Sequence, residues 1–286
     1  MAPRWPPRLQ AGLMMALLLA SPRMAAAQTV RSGAGLDATN ATAARDLFRL
    51  DLGGGTTAGA NGSFGGLRRE INWDGVPDNL SAPNNLPLDF FNVNSPRGAV
   101  FSTPGTAVQV SADLSNPTST PVEFGHIDPS YPSSFTAFSP ERLFSPIGSN
   151  IVDVNFFVPG TNTAALTRGF GSIFTDVDLA NTTSIQLFGL GNNLLGTFFA
   201  PAALGDGSLS FLGISFATPV ISHVRITNGN TPLGAGILDT NGNPVDLVVM
   251  DDFLYAEPTA VPEPGSIVLL VIGLGLTLVW RRSRGG

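Results

Sequence analysis

The chain has no cysteine and no lysine, only two histidines, and three tryptophans in 286 residues. Without cysteine there are no disulfides, no thiolate metal sites and no lipid-anchored lipoprotein route. A secreted body of this kind is held by its own core, or by bound ions. Without lysine, all side-chain positive charge outside histidine rests on fifteen arginines, of which three precede Gln28 and three follow Pro264. The stretch between carries nine arginines against all twenty-one carboxylates, a net charge of −12 where the full chain has −6. Such a surface repels nucleic acid and anionic lipid, and it attracts divalent cations. Nucleic acid is therefore not an expected partner. Catalytic signatures are missing too: there is no nucleophile elbow, zinc motif, phosphate loop or repeated EF-hand loop. Gly53-Gly54-Gly55 and Gly65-Gly66 lack the strand–loop–helix context of phosphate binding and read as flexible loops. The expectation is a protein that is not an enzyme. Paired carboxylates of the glycosidase type stay open, because spatial pairing leaves no mark in one sequence.

What is present is concentrated at the two ends. Arg4 and Arg8 precede an apolar run, Ala11 to Ala20, and Ala25-Ala26-Ala27 then supplies small residues ahead of Gln28. This predicts a secretory signal peptide over residues 1–27, cut between Ala27 and Gln28 by signal peptidase after passage through the secretion machinery. The other end reads Val261-Pro262-Glu263-Pro264, then an apolar run Ile267 to Trp280, then Arg281-Arg282-Ser283-Arg284. The prolines make the first part an extended, accessible strip. The run of about 14 apolar residues predicts a short transmembrane helix over 265–280, below the ~20 residues of a permanent span. Arginines hold the tail, 281–286, on the cytoplasmic side and leave everything upstream outside it.

Extended strip, helix and arginine cluster, in this order, resemble the PEP-CTERM sorting signal of Gram-negative bacteria. The resemblance implies an exosortase-type sorting enzyme as partner, acting near Val261, Pro262, Glu263 and Pro264, with Arg281, Arg282 and Arg284 as the basic stop. It also implies a location: inner membrane with the body in the periplasm before processing, then cell surface or extracellular. Related proteins accompany exopolysaccharide and biofilm, so extracellular polysaccharide is the implied partner of the body. An ordinary C-terminal anchor is the plain alternative.

Between the ends lie about 237 residues, enough for one large domain or two small ones. The body is assigned to 28–256, with 257–264 as a linker that carries the Pro-Glu-Pro motif. Ala38 to Leu50 is the one helical candidate. Short apolar or alternating runs predict strands near Ala99–Phe101, Ala107–Val110, Ile151–Val158, Ala165–Val177, Thr183–Phe188, Leu194–Ala200, Leu209–Phe216, Val220–Thr227 and Val245–Ala256. Asn192-Asn193 reads as a hairpin turn, and Asn-Gly steps follow at Asn228 and Asn241. Pro77 to Pro96 reads as an irregular surface loop. Many short strands with such turns predict an all-β antiparallel sandwich. The closing Asp-Asp-aromatic step at Asp251-Asp252-Phe253 resembles the last strand of jelly-roll and galactose-binding-like modules, a fold that hosts lectins, enzymes and inert spacers alike.

Four aspartates are the chemical candidates. Asp176, Asp178, Asp251 and Asp252 offer hard oxygen ligands that suit a structural Ca²⁺, the one cofactor in view. In a regular strand Asp251 and Asp252 point to opposite faces, so at most one faces inward. Solvated or turn-capping carboxylates are the default. Trp73, in Asn72-Trp73-Asp74, either stacks on a glycan or plugs the core, and the core is the usual place for it. His126 with Asp128 could make a weak metal pair, while His223 reads as an ordinary sheet residue. The sequence thus predicts a non-catalytic surface or matrix protein with a structural or adhesive body. A carbohydrate-binding module is the alternative, and a secreted glycoside hydrolase the remoter one.

Overall fold

The computed structural model describes residues 28–240 and 244–261. Two antiparallel sheets face each other across one aromatic-rich core, a sandwich-like arrangement. The larger sheet takes β1 (Gln28–Gly35), β12 (Leu209–Phe216), β9 (Gly169–Thr175), β14 (Val249–Ala256), β3 (Arg68–Ile71) and β2 (Ser63–Phe64), in that order. On its flank, β6 (Phe144–Ile147) pairs with β14 and with β5 (Ala107–Val110). The smaller sheet runs β11 (Leu194–Phe199), β10 (Ser184–Phe188), β13 (His223–Thr227), β7 (Ile151–Phe156) and β4 (Ala99–Ser102). Every strand pairing between these elements is antiparallel.

The alternating burial of β7, half-buried then buried along Ile151–Phe156, is what one wet face and one dry face produce. Strands β9, β12 and β14 are buried on both faces, since one face meets the second sheet and the other meets a helix and loops. That helix, α1 (Ala38–Asp51), starts at Asp37, whose carboxylate accepts the Thr39 N–H at 2.8 Å and caps the free end. Its Ala41, Ala44 and Phe48 pack on Ile173, Phe211 and Leu254. Gly171 and Gly213 make that approach feasible, because a Cβ at either would meet the Phe48 ring at 2.9 or 2.8 Å.

Strand β14 is not regular. Met250 opposes Phe174 and Phe253 opposes Ser172, so three steps on β14 match two on β9 and a bulge falls at Asp251-Asp252. On its other side Met250 pairs with Phe144 of β6, whereas Phe253 pairs with Ile71 of β3. The bulge therefore sits where β14 changes neighbour. Trp73, just past β3, seals this junction: it stacks on Phe144 at 4.1 Å and meets Phe253 edge-on at 5.0 Å.

Several expectations change. Gln28–Gly35 carries no strong apolar pattern yet forms β1, the edge of the large sheet, with Gly33 so close to α1 that a Cβ would meet the Asn40 carbonyl at 2.4 Å. The expected strand Ala165–Val177 breaks at Thr167-Arg168, leaving β8 (Ala165–Leu166) ahead of β9. The stretch expected to be a surface loop, Pro77 to Pro96, is irregular but sends Leu86, Phe90 and Phe91 into the core. The expected linker is docked: β15 (Thr259–Ala260) pairs with β8, and Glu257 forms a two-pronged ion pair with Arg69 at 2.8 and 2.7 Å. Among the described residues no helix is long and apolar enough to cross a membrane. The expected signal peptide, transmembrane helix and basic tail lie outside them.

Candidate functional site

Three neighbouring strands end together at one edge of the large sheet. Thr175, last in β9, lies opposite Leu209 at the start of β12 and Val249 at the start of β14. The turns that leave these ends bring Asp176, Asp178, Asp239 and Asp246 to one place. Asp176 bends sharply away with φ +71°, and its N–H donates to the Ser208 carbonyl at 2.8 Å. Asp178 accepts the Gly205 N–H at 2.8 Å through Oδ1, while its own N–H donates to Asp246 Oδ1 at 3.0 Å. Asp246 also accepts the Thr182 hydroxyl. Asp239 caps its own turn by accepting the Thr240 N–H at 2.8 Å.

Asp176, Asp178 and Asp239 each offer a carboxylate oxygen to a shared space, all within 4.8 Å of one another. Among the described residues, four of their oxygens meet no hydrogen-bond donor: both of Asp176, Oδ2 of Asp178 and Oδ2 of Asp239. Asp176 is 0% exposed. Its near neighbour is the Asp239 carboxylate, itself an acceptor, so the two repel each other when both are ionised. Burial, then this contact, pushes the Asp176 pKa up to about 10. Burial also raises Asp239 and Asp246. Among the described residues no ion pair brings an arginine to these carboxylates.

The expected calcium set divides. Asp251 and Asp252 belong to another place, the bulge of β14, and both are buried. The bulge overrides the alternation of a regular strand, so both carboxylates reach Ser139: its hydroxyl donates to Asp251 Oδ1 at 3.1 Å and to Asp252 Oδ1 at 2.8 Å. Asp251 Oδ2 also accepts the Phe138 N–H at 2.6 Å and the Ser139 N–H at 3.1 Å. Burial first, then the charge of Asp252, raises Asp251 well above the usual carboxylate range, and burial raises Asp252. Nearby, Asp74 accepts the Glu141 N–H at 2.7 Å, and burial lifts it to about 6. This pair is a closed joint that ties the loop before β6 to the sheet.

Of the two places open to Trp73, it takes the core and not a glycan platform: it is 1% exposed, and its indole N–H donates to the Asp251 carbonyl at 2.8 Å. No face is left for a sugar ring. His126 lies 3.2 Å from Gln109 Oε1, and Asp128 is committed to Ser130 and the Gly236 N–H, so these two form no pair. His223 stacks on Phe188 with ring centroids 4.5 Å apart, and burial lowers its pKa. An open cleft of about 710 Å³ lies beside α1, where Leu47, Leu50 and Phe64 line it. Of the sorting residues, Val261 donates its N–H to the Ala164 carbonyl at 3.1 Å. Pro262, Glu263, Pro264, Arg281, Arg282 and Arg284 lie outside the described residues, as do Ala25 and Ala27, while Gln28 opens β1 opposite Phe216.

Sequence reasoning missed Asp239. Its signal was there, in the oxygen-rich run Asp239-Thr240-Asn241-Gly242-Asn243, which served only as a turn marker. No protein-family model matches the chain, and no curated protein is similar to it. A solved structure with some likeness is a two-domain protein of unknown function from Bacteroides fragilis, at 12% identity and a TM-score of 0.23, over 57% of this chain and 46% of that one. So distant a likeness carries no functional argument.

Proposed function

We propose that this chain is a non-catalytic exported protein of the cell surface or extracellular matrix, sorted through its C-terminal signal by an exosortase-type enzyme. The observation that carries the reading is the ordered end of the sequence: Val261-Pro262-Glu263-Pro264, the apolar run Ile267 to Trp280, then Arg281, Arg282 and Arg284. The body supports it by its character. It is strongly acidic, free of cysteine and built around a large aromatic core, which suits a structural or adhesive module in exopolysaccharide or biofilm. Its two facing antiparallel sheets, with β14 central in the larger one, favour the jelly-roll or galactose-binding-like class. The alternatives gain nothing from the residues first named for them, since Trp73 is sealed and the Asp251–Asp252 pair is closed by its own donors.

The test is the C-terminus of the mature protein from its native host, read by mass spectrometry of the last peptide. An end within or beside Val261–Pro264 is the expected result. An intact tail through Gly286 in the membrane fraction would overturn sorting-enzyme processing and leave a simple anchored protein.

A further inference from the structure

We propose that Asp176, Asp178 and Asp239 bind a divalent cation, Ca²⁺ by the chemistry of its ligands, which ties the turn after β9 to the loop ahead of β14. The cluster alone would not suffice. What points to a ligand is the Asp176 side chain, wholly buried, with neither oxygen hydrogen-bonded to any of the described residues. A buried carboxylate without a partner is costly, and the group either takes a proton or meets a cation.

This protein does supply partners to its other buried carboxylates. Asp251 receives two backbone N–H groups and a hydroxyl. Asp128 receives the Ser130 and Gly236 N–H groups, and Asp246 the Asp178 N–H and the Thr182 hydroxyl. At the end of β9 the fold offers nothing comparable, although Ser208, whose carbonyl holds the Asp176 N–H, has a buried hydroxyl that is itself without a partner.

The ligand set selects the ion. All candidate atoms are hard oxygens, and the two histidines are engaged elsewhere, by Gln109 and by Phe188. That favours Ca²⁺ or Mg²⁺ over zinc. Ligand atoms within 4.8 Å of one another fit around an ion that holds each at about 2.4 Å. Mg²⁺ demands a near-ideal octahedron at about 2.0–2.1 Å and gives up its own water reluctantly, so a buried cluster of carboxylates suits it less. The four bare oxygens leave further positions for water, which Ca²⁺ accepts readily. The ion would join two segments about sixty residues apart, the turn after β9 and the loop ahead of β14.

The inference does not rest on the export reading, and its failure would leave the C-terminal measurement untouched. The test is thermal unfolding of the full-length chain, stripped of metal, in EGTA and then in millimolar CaCl₂ or MgCl₂, alongside calcium titration calorimetry. Calcium should bind and raise Tm by about 5 °C, with a smaller rise from magnesium. Asp176→Asn mimics the protonated acid, so it should abolish the calcium response while keeping a Tm in EGTA at or above that of the parent. If that variant does not fold, Asp239→Asn, at a half-buried position, decides the matter by the same readout. Two outcomes would overturn the proposal: a parent protein that neither binds calcium nor shifts in Tm, or a calcium response that survives in the variant.

Discussion

Two groups of aspartates, both near the end where β9 stops and β14 begins, received opposite treatment. Asp251 and Asp252 sit in a bulge where the loop before β6 folds over them and donates two N–H groups and a hydroxyl. Asp176, Asp178 and Asp239 sit where β9 stops and β12 and β14 begin, and four of their oxygens meet no donor among the described residues. Residue type is the same in both, and each group holds two buried members, Asp176 and Asp178 in one and Asp251 and Asp252 in the other, with Asp239 half-buried. What differs is whether the polypeptide brings its own positive ends of dipoles to the carboxylate, and that decides which group is finished and which is open to a ligand.

The contrast can be broken at Trp73 first, because it roofs the closed group. Trp73→Ala removes the ring that stacks on Phe144 and the N–H that holds the Asp251 carbonyl. A loss of about 4 kcal/mol is expected, read as a fall in Tm or in the denaturant midpoint. A Tm within a degree or two of the parent would mean the junction is not packed as described. Asp251→Ala should come next, at about 3 kcal/mol, since it strands the Phe138 and Ser139 donors in a buried place. Asp176→Asn, by contrast, breaks no donor contact, and in chelator it should be neutral or slightly stabilising. Equal losses at the two sites would erase the comparison.

The smallest effect concerns pH. Asp74 has a folded pKa of about 6, above its ordinary 3.8. The folded state therefore binds this proton more tightly than the unfolded chain does, and the Asp74 contribution to stability falls as pH rises from about 4 to about 6 and then levels. Asp74→Asn keeps an oxygen for the Glu141 N–H and should flatten that part of the curve. Unfolding curves across this range, parent against variant, measure the difference. An unchanged slope would assign the titration to the Asp251–Asp252 pair instead.

Much of the fold was legible. Ala107–Val110 and Leu209–Phe216 match their observed strands, and the helix expected over Ala38 to Leu50 runs over Ala38–Asp51. These stretches carry period or apolar density that any neighbour would reward. Strand β1 was illegible because Gln28–Gly35 is small and polar, and it becomes a strand only through the edge that β12 offers. Of the open cluster, Asp176 and Asp178 could be named from their spacing, whereas Asp239 could not, because about sixty residues separate it from them. Assigning Asp251 and Asp252 to the same group failed for a related reason. A bulge is a matter of register between strands, and register is invisible within one of them.

By itself, then, the sequence determined a cysteine-free, acidic, strand-rich body between two apolar segments, because composition and periodicity act locally. The tertiary structure alone decided that Trp73 seals a junction, that Glu257 to Val261 lies docked on the body, and that one aspartate group is satisfied while the other is bare. Each of those outcomes depends on which distant groups arrive within hydrogen-bond reach, and a single chain read in order holds no record of arrival.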